Sequence, residues 1–185
     1  RPSDVKTGAY QTFALSVPVE RDEPTIRVKL DVPEGLASVT PTVKPGWTIQ
    51  TEKHGEGEDA MITAITWTGG EIGVGYRDEF TFSAKTPDQP TDLQWKAYQT
   101  YENGTVVSWN QQPTSEEKEG STTGPFSVTK VAAYSDQDLA LKSTDSKVEN
   151  AQQTADKALY TGVGAFILAL ITIGMVIMHK RPQVK

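Results

Sequence analysis

Thr25-Ile26-Arg27-Val28-Lys29-Leu30-Asp31-Val32 places an apolar side chain at every second position. Ile26, Val28, Leu30 and Val32 then share one face, while Thr25, Arg27, Lys29 and Asp31 share the other. A period of two marks a strand that is buried on one side. Pro33-Glu34-Gly35 follows with turn chemistry. The same reading extends outward in both directions. Residues 11–17 alternate with Phe13, Leu15 and Val17 on one face. Further strands are predicted over residues 36–43, 61–67, 79–84, 92–101, 105–109 and 126–132. Asn103-Gly104 separates two of them and predicts a tight hairpin turn, because both residues tolerate positive φ. No stretch before residue 135 carries a helical period. Many short strands between turn signals predict an all-β domain, an immunoglobulin-like β-sandwich over residues 1–133, with a closed barrel as the alternative.

Two polar stretches read as loops: residues 51–59, TEKHGEGED, and residues 111–124, QQPTSEEKEGSTTG. Residues 134–156 differ in kind. They are rich in Ser, Thr, Asp, Lys and Gln and hold only one aromatic, Tyr134, so they read as a polar stalk with enough Ala and Leu to permit helix. Residues 159–178, LYTGVGAFILALITIGMVIM, carry no charge over 20 positions. As a helix they would span roughly 30 Å, the thickness of a hydrocarbon core. His179-Lys180-Arg181-Pro182-Gln183-Val184-Lys185 is a basic flank, which belongs on the cytoplasmic side. The expectation is therefore a transmembrane helix over 157–179 and a cytoplasmic tail over 180–185. The N-terminal domain would lie outside a cell membrane crossed once.

Charge agrees with that division. The chain has 18 Lys and Arg against 24 Asp and Glu, and residues 157–185 hold four of the bases and none of the acids. Residues 1–156 keep 14 positive and 24 negative charges, an acidic balance that argues against a nucleic-acid binder. Cysteine is absent, which excludes disulfides and thiolate metal sites. Position 1 is Arg and not Met, so either a cleaved signal peptide or a truncated start is expected.

Enzyme signatures are missing: there is no Gly-rich phosphate loop, no His-Glu-x-x-His and no Gly-x-Ser-x-Gly. The two histidines are His54 and His179. His54 lies among Glu52, Glu56, Glu58 and Asp59, which reads first as a solvated acidic loop and only second as a weak cation site. Trp47, Trp67, Trp95 and Trp109 lie on or beside predicted strands, where core packing is the ordinary role of an aromatic. Trp109 ends its strand before a polar stretch and is the least committed to the core. Glu20 follows Val17-Pro18-Val19 and precedes Arg21-Asp22-Glu23-Pro24, the setting of a surface carboxylate in a turn.

Residues 2–25, PSDVKTGAYQTFALSVPVERDEPT, resemble the opening of the YcnI-like family of exported, copper-linked proteins. Val32-Pro33-Glu34-Gly35, Pro45-Gly46-Trp47, Ile65-Thr66-Trp67 and Leu93-Gln94-Trp95-Lys96-Ala97 continue the resemblance in order to about residue 133. It implies a β-sandwich that binds Cu(II) near its N-terminus. In the family the mature chain starts with a histidine, about four residues before the equivalent of Arg1. Its imidazole and the terminal amine chelate copper, a carboxylate completes the site and a tryptophan stands close by. Glu20 matches that carboxylate, with Asp22 and Glu23 as alternatives, and Trp109 matches the tryptophan as a nearby aromatic rather than a ligand. The histidine does not stand in residues 1–185 at that place, so the expected Cu(II) site is conditional on residues preceding Arg1; a chain truly starting at Arg1 would have the site crippled.

The expected function is a membrane-anchored, extracytoplasmic Cu(II)-binding accessory protein that holds or delivers copper, with a membrane copper transporter or copper-handling protein as partner and no catalysis. The competing reading is a metal-free structural or adhesive immunoglobulin-like ectodomain. An oxidative copper enzyme would need a second histidine, for which His54 alone is available.

Overall fold

The computed structural model of the chain describes residues 2–57, 60–113 and 121–141, together with 147, 152, 154 and 157. Residues 1–133 form one compact unit and residues 134–185 a second. The predicted membrane segment at 159–178 lies outside the described residues, among which no helix is long and apolar enough to cross a membrane.

The first unit is a sandwich of two sheets. Its strands are β1 (Asp4–Lys6), β2 (Tyr10–Pro18), β3 (Thr25–Asp31), β4 (Ala37–Pro41), β5 (Thr48–His54), β6 (Met61–Ile72), β7 (Arg77–Lys85), β8 (Thr91–Tyr101), β9 (Val106–Gln111), β10 (Thr123–Pro125) and β11 (Ser127–Ala132). The larger sheet runs β1-β11-β8-β3-β6-β5, with β9 also on β8 and β10 on β9; the smaller runs β2-β7-β4. Every predicted strand is present, and the sheets stay open rather than closing into a barrel. Three strands were not predicted. Residues 51–54 were read as loop but belong to β5, which pairs along β6 with Lys53 and His54 opposite Ile62 and Met61. Polar side chains on both faces hid this edge strand, where solvent rather than core meets the outward positions. β1 and β10 span three residues each, too few to show a period.

β3 departs from its simple alternation at one point. Thr25 is fully buried and Ile26 is 37% exposed. The pairing with β8 steps from Thr25↔Tyr101 to Arg27↔Thr100, so two residues of β3 oppose one of β8. This bulge rotates Ile26 out of the core and keeps Val28 and Leu30 in it. The Asn103-Gly104 turn forms as expected, but only Gly104 takes a positive φ, of 84°. Asn103 contributes its side chain instead, accepting the Thr105 N–H at 2.9 Å.

Between the sheets lies a cluster of rings. Phe13 and Phe82 of the smaller sheet stack at 5.5 Å, and both meet Trp95 of the larger. Phe80 meets Trp67 at 5.1 Å and takes Trp47 edge-on at 5.0 Å. Trp47 lies flat over Gly70, where any Cβ would overlap the indole. Burial of this much aromatic area gives the domain a core that does without disulfides.

In the second unit, residues 136–141 are helical. Ser135 caps them. Its Oγ accepts the Asp138 N–H at 3.2 Å, and Asp138 Oδ2 accepts the Ser135 N–H at 2.8 Å, a reciprocal capping box.

Candidate metal-binding cleft

One end of the sandwich gathers the C-terminal ends of β2, β6 and β8 with the start of β3, since Thr25 pairs with both Ile72 and Tyr101. The chain leaves the sandwich at the other end, where Val131 pairs with Thr91 at the start of β8. Near the first end, the edge strand β2 of the small sheet stands apart from β9 and β10 of the large one. The gap is a cleft of about 190 Å³. Leu15, Val17, Val28 and Trp95 give it apolar walls, and Glu20, Gln99 and Trp109 give it chemistry.

Glu20 and Trp109, singled out from the sequence, therefore line the same cleft although 89 positions separate them. Asp22 and Glu23, the alternatives to Glu20, are not among the lining residues. Glu20 is exposed, in the turn between β2 and β3. Its neighbourhood is organised by Tyr101, which is buried. Burial raises the Tyr101 phenol above its ordinary pKa, while the Glu20 main-chain N–H and the Arg21 guanidinium pull the other way. Arg21 lies over the Tyr101 ring at 5.8 Å and donates to the Ser121 carbonyl at 3.4 Å. Trp109 is half-buried against the core. It pairs in parallel with Gly124, where a Cβ would stand 2.9 Å from the indole Cδ1. Glycine at 124 is what lets the ring lie against β10.

Gln99 was not read as a site residue. It is fully buried at an inward position of β8, where Leu93, Trp95, Ala97 and Tyr101 are also buried. Its Nε2 donates to the Pro18 carbonyl at 3.0 Å and to Thr25 Oγ1. A polar residue in the apolar phase of a strand was the available signal. Below the cleft, Trp95 Nε1 donates to Thr129 Oγ1 at 3.0 Å, and Thr129 Oγ1 donates to the Pro2 carbonyl at 2.6 Å. Lys130 N–H adds a bond to Ser3 O at 2.8 Å. The N-terminal strand is thus pinned to the floor on which the cleft stands.

His54 lies elsewhere. It ends β5, at the far edge of the larger sheet, with β6 and β3 between it and β8. Three strand spacings put that edge roughly 14 Å from β8. Glu52 beside it is engaged by Lys29 at 2.8 Å, and that carboxylate raises the lysine pKa. No group of three or more metal-ligating side chains occurs among the described residues.

An open two-sheet β-sandwich with a cleft at an edge is the class that this architecture defines. A crystal structure of an uncharacterized protein from Nocardia farcinica, which reveals an immunoglobulin-like fold, superimposes with a TM-score of 0.57 at 24% identity, covering 69% of this chain and 92% of that one. Residues 1–129 match the family described as a domain of unknown function, DUF1775, and the chain belongs to that family. The copper-binding protein CutI of Bacillus subtilis is 29% identical over 176 residues, which cover 94% of this chain and 82% of CutI. The YcnI-like assignment read from residues 2–133 holds.

Proposed function

We propose that the protein is a Cu(II)-binding accessory protein and that the cleft is where copper is held as cargo. The observation that carries this reading is the convergence of Glu20 and Trp109 on one cleft. The name of CutI supports copper as the cargo.

Cu(II) favours nitrogen ligands in tetragonal geometry. The cleft offers one carboxylate, Glu20, and no imidazole among its lining residues. That set fits one corner of a copper site and is too small for a whole one. The register of β1 supports a source for the rest. Asp4 is aligned in parallel with Lys130, so the strand direction N-terminal of Pro2 leads past Ser127 toward Pro125. Both of those residues line the cleft. A histidine with a free amine, a few residues before Arg1, would approach the cleft that Glu20 lines and supply two nitrogens in one chelate. Trp109 would shield the metal from water and report its arrival. No bond of a substrate is made or broken in this account.

Residues 159–178 would tether the domain to the outer face of a membrane. Tethering raises its effective concentration near a membrane partner, here a copper transporter. The test is a Cu(II) titration of the full chain bearing its native N-terminus, followed by tryptophan emission and copper EPR. One saturable site with nitrogen hyperfine structure at stoichiometric copper is expected. Weak, multiple, non-saturating binding would sink the reading and leave a metal-free structural domain.

A further inference from the structure

The buried row of β8 is Leu93, Trp95, Ala97, Gln99 and Tyr101, and Gln99 is its one non-aromatic polar member. Burying an amide is costly when one of its polar atoms lacks a partner. Gln99 Oε1 has none among the described residues. Methionine or leucine would fill the same volume without that cost, so packing does not account for a glutamine. Its bonds do. Pro18 is the last residue of β2 and Thr25 the first of β3. A single buried amide group therefore grips both flanks of the turn that carries Glu20. Main-chain bonds from Val19 N–H to Tyr76 O and from Glu102 N–H to Pro24 O tie each flank to a different neighbour, at 2.9 and 3.0 Å. Neither joins the flanks to each other.

We propose that Gln99 is a positioning residue: it clamps the base of the 19–24 turn and so fixes the Glu20 carboxylate at the mouth of the cleft. The inference rests on the copper reading for what Glu20 binds, while the clamp itself needs no metal. Groups that orient a metal ligand typically contribute about 10-fold or more to affinity.

The test uses the full chain with its native N-terminus and the variants Gln99→Met, Thr25→Val, Glu20→Gln and the Gln99→Met/Glu20→Gln pair. Without metal, backbone order parameters by NMR for residues 19–23 are expected to fall in Gln99→Met, and less in Thr25→Val, while those of β3 and β8 hold. A packing role alone would lower Tm and leave the turn rigid; that result overturns the clamp. Where Gln99→Met does not fold, Thr25→Val decides by the same criterion. With Cu(II), Gln99→Met and Glu20→Gln each weaken binding about 10-fold, and the pair is no weaker than Glu20→Gln alone. Additive losses show that Gln99 does not act through Glu20 and overturn the proposal. Absence of saturable copper binding in the unaltered protein removes the functional reading, and the metal-free measurement still decides the clamp.

Discussion

The ring cluster at the centre of the sandwich and the cleft at its edge are built from the same strands and by opposite rules. In the cluster, Phe13, Phe80, Phe82, Trp67 and Trp95 each meet another ring at 5.0 to 5.7 Å. Along β8 the row passes from Trp95 in that cluster to Gln99 in the cleft within four residues. Where both sheets continue, inward positions fill each other. Where the small sheet ends at β2, facing positions have no partner sheet, and a carboxylate, an amide and a half-buried indole occupy the gap. Stability belongs to the first region, and the proposed copper binding to the second. Substitutions should separate the two.

The largest effect is expected at Phe80, which is fully buried. Phe80→Ala removes ring contacts with Trp47 and Trp67 and the face on which Lys44 Nζ rests at 4.7 Å. The expected cost is about 3–5 kcal/mol by urea unfolding. A loss under ~1 kcal/mol would mean that the cluster is not the core.

Gly70→Ala comes next. A methyl there overlaps Trp47, which must leave its edge-on contact with Phe80. Overpacking of this kind costs about 1–3 kcal/mol. The same denaturation measurement should show the loss, with a red shift of emission as Trp47 becomes wetter. Copper affinity should stay within experimental error, because Gly70 does not line the cleft. A copper defect in a folded Gly70→Ala protein would break the separation of the two regions.

Gly124→Ala tests the other side. Its Cβ would press on Trp109, which is half-buried and can swing outward, so the stability cost should be smaller, about 1 kcal/mol. The copper-induced change in emission should shrink as the ring leaves the cleft. Unchanged quenching would remove Trp109 from the site.

Much of this is legible in the amino-acid sequence. The period-two runs around Phe13, Val28 and Leu93 mark inward rows, and those residues are buried. Glu20 and Trp109 were reached through family resemblance, and their meeting in one cleft could not be read from either position alone. The edge strand β5 stayed hidden because its residues are mostly exposed and polar. The bulge at Ile26 stayed hidden because register belongs to a strand pair and not to one sequence. Gln99 was visible as a break in an apolar row. Its meaning required knowing that Pro18 and Thr25 both lie within reach of one amide.

The smallest effect is expected from Tyr101, where the two regions touch. It is buried like a core residue, yet Glu20 and Arg21 surround its hydroxyl. Burial raises its pKa in the folded state above the ordinary tyrosine value of 10.0. The unfolded chain therefore loses this proton first as pH rises. Between the unfolded and folded pKa values the native state holds more protons, so stability falls with pH in that window and is unaffected below it. Tyr98 is raised as well, by burial first and then by its bond to Asp31, so it adds to the same slope. Tyr101→Phe should flatten the decline of Tm above about pH 10 without abolishing it, because Tyr98 still titrates. Thermal unfolding of both proteins between neutral and strongly alkaline pH measures this directly. An identical alkaline slope in the two proteins would mean that Tyr101 meets solvent as it would in the unfolded chain, and that the wall between core and cleft is not closed at this residue.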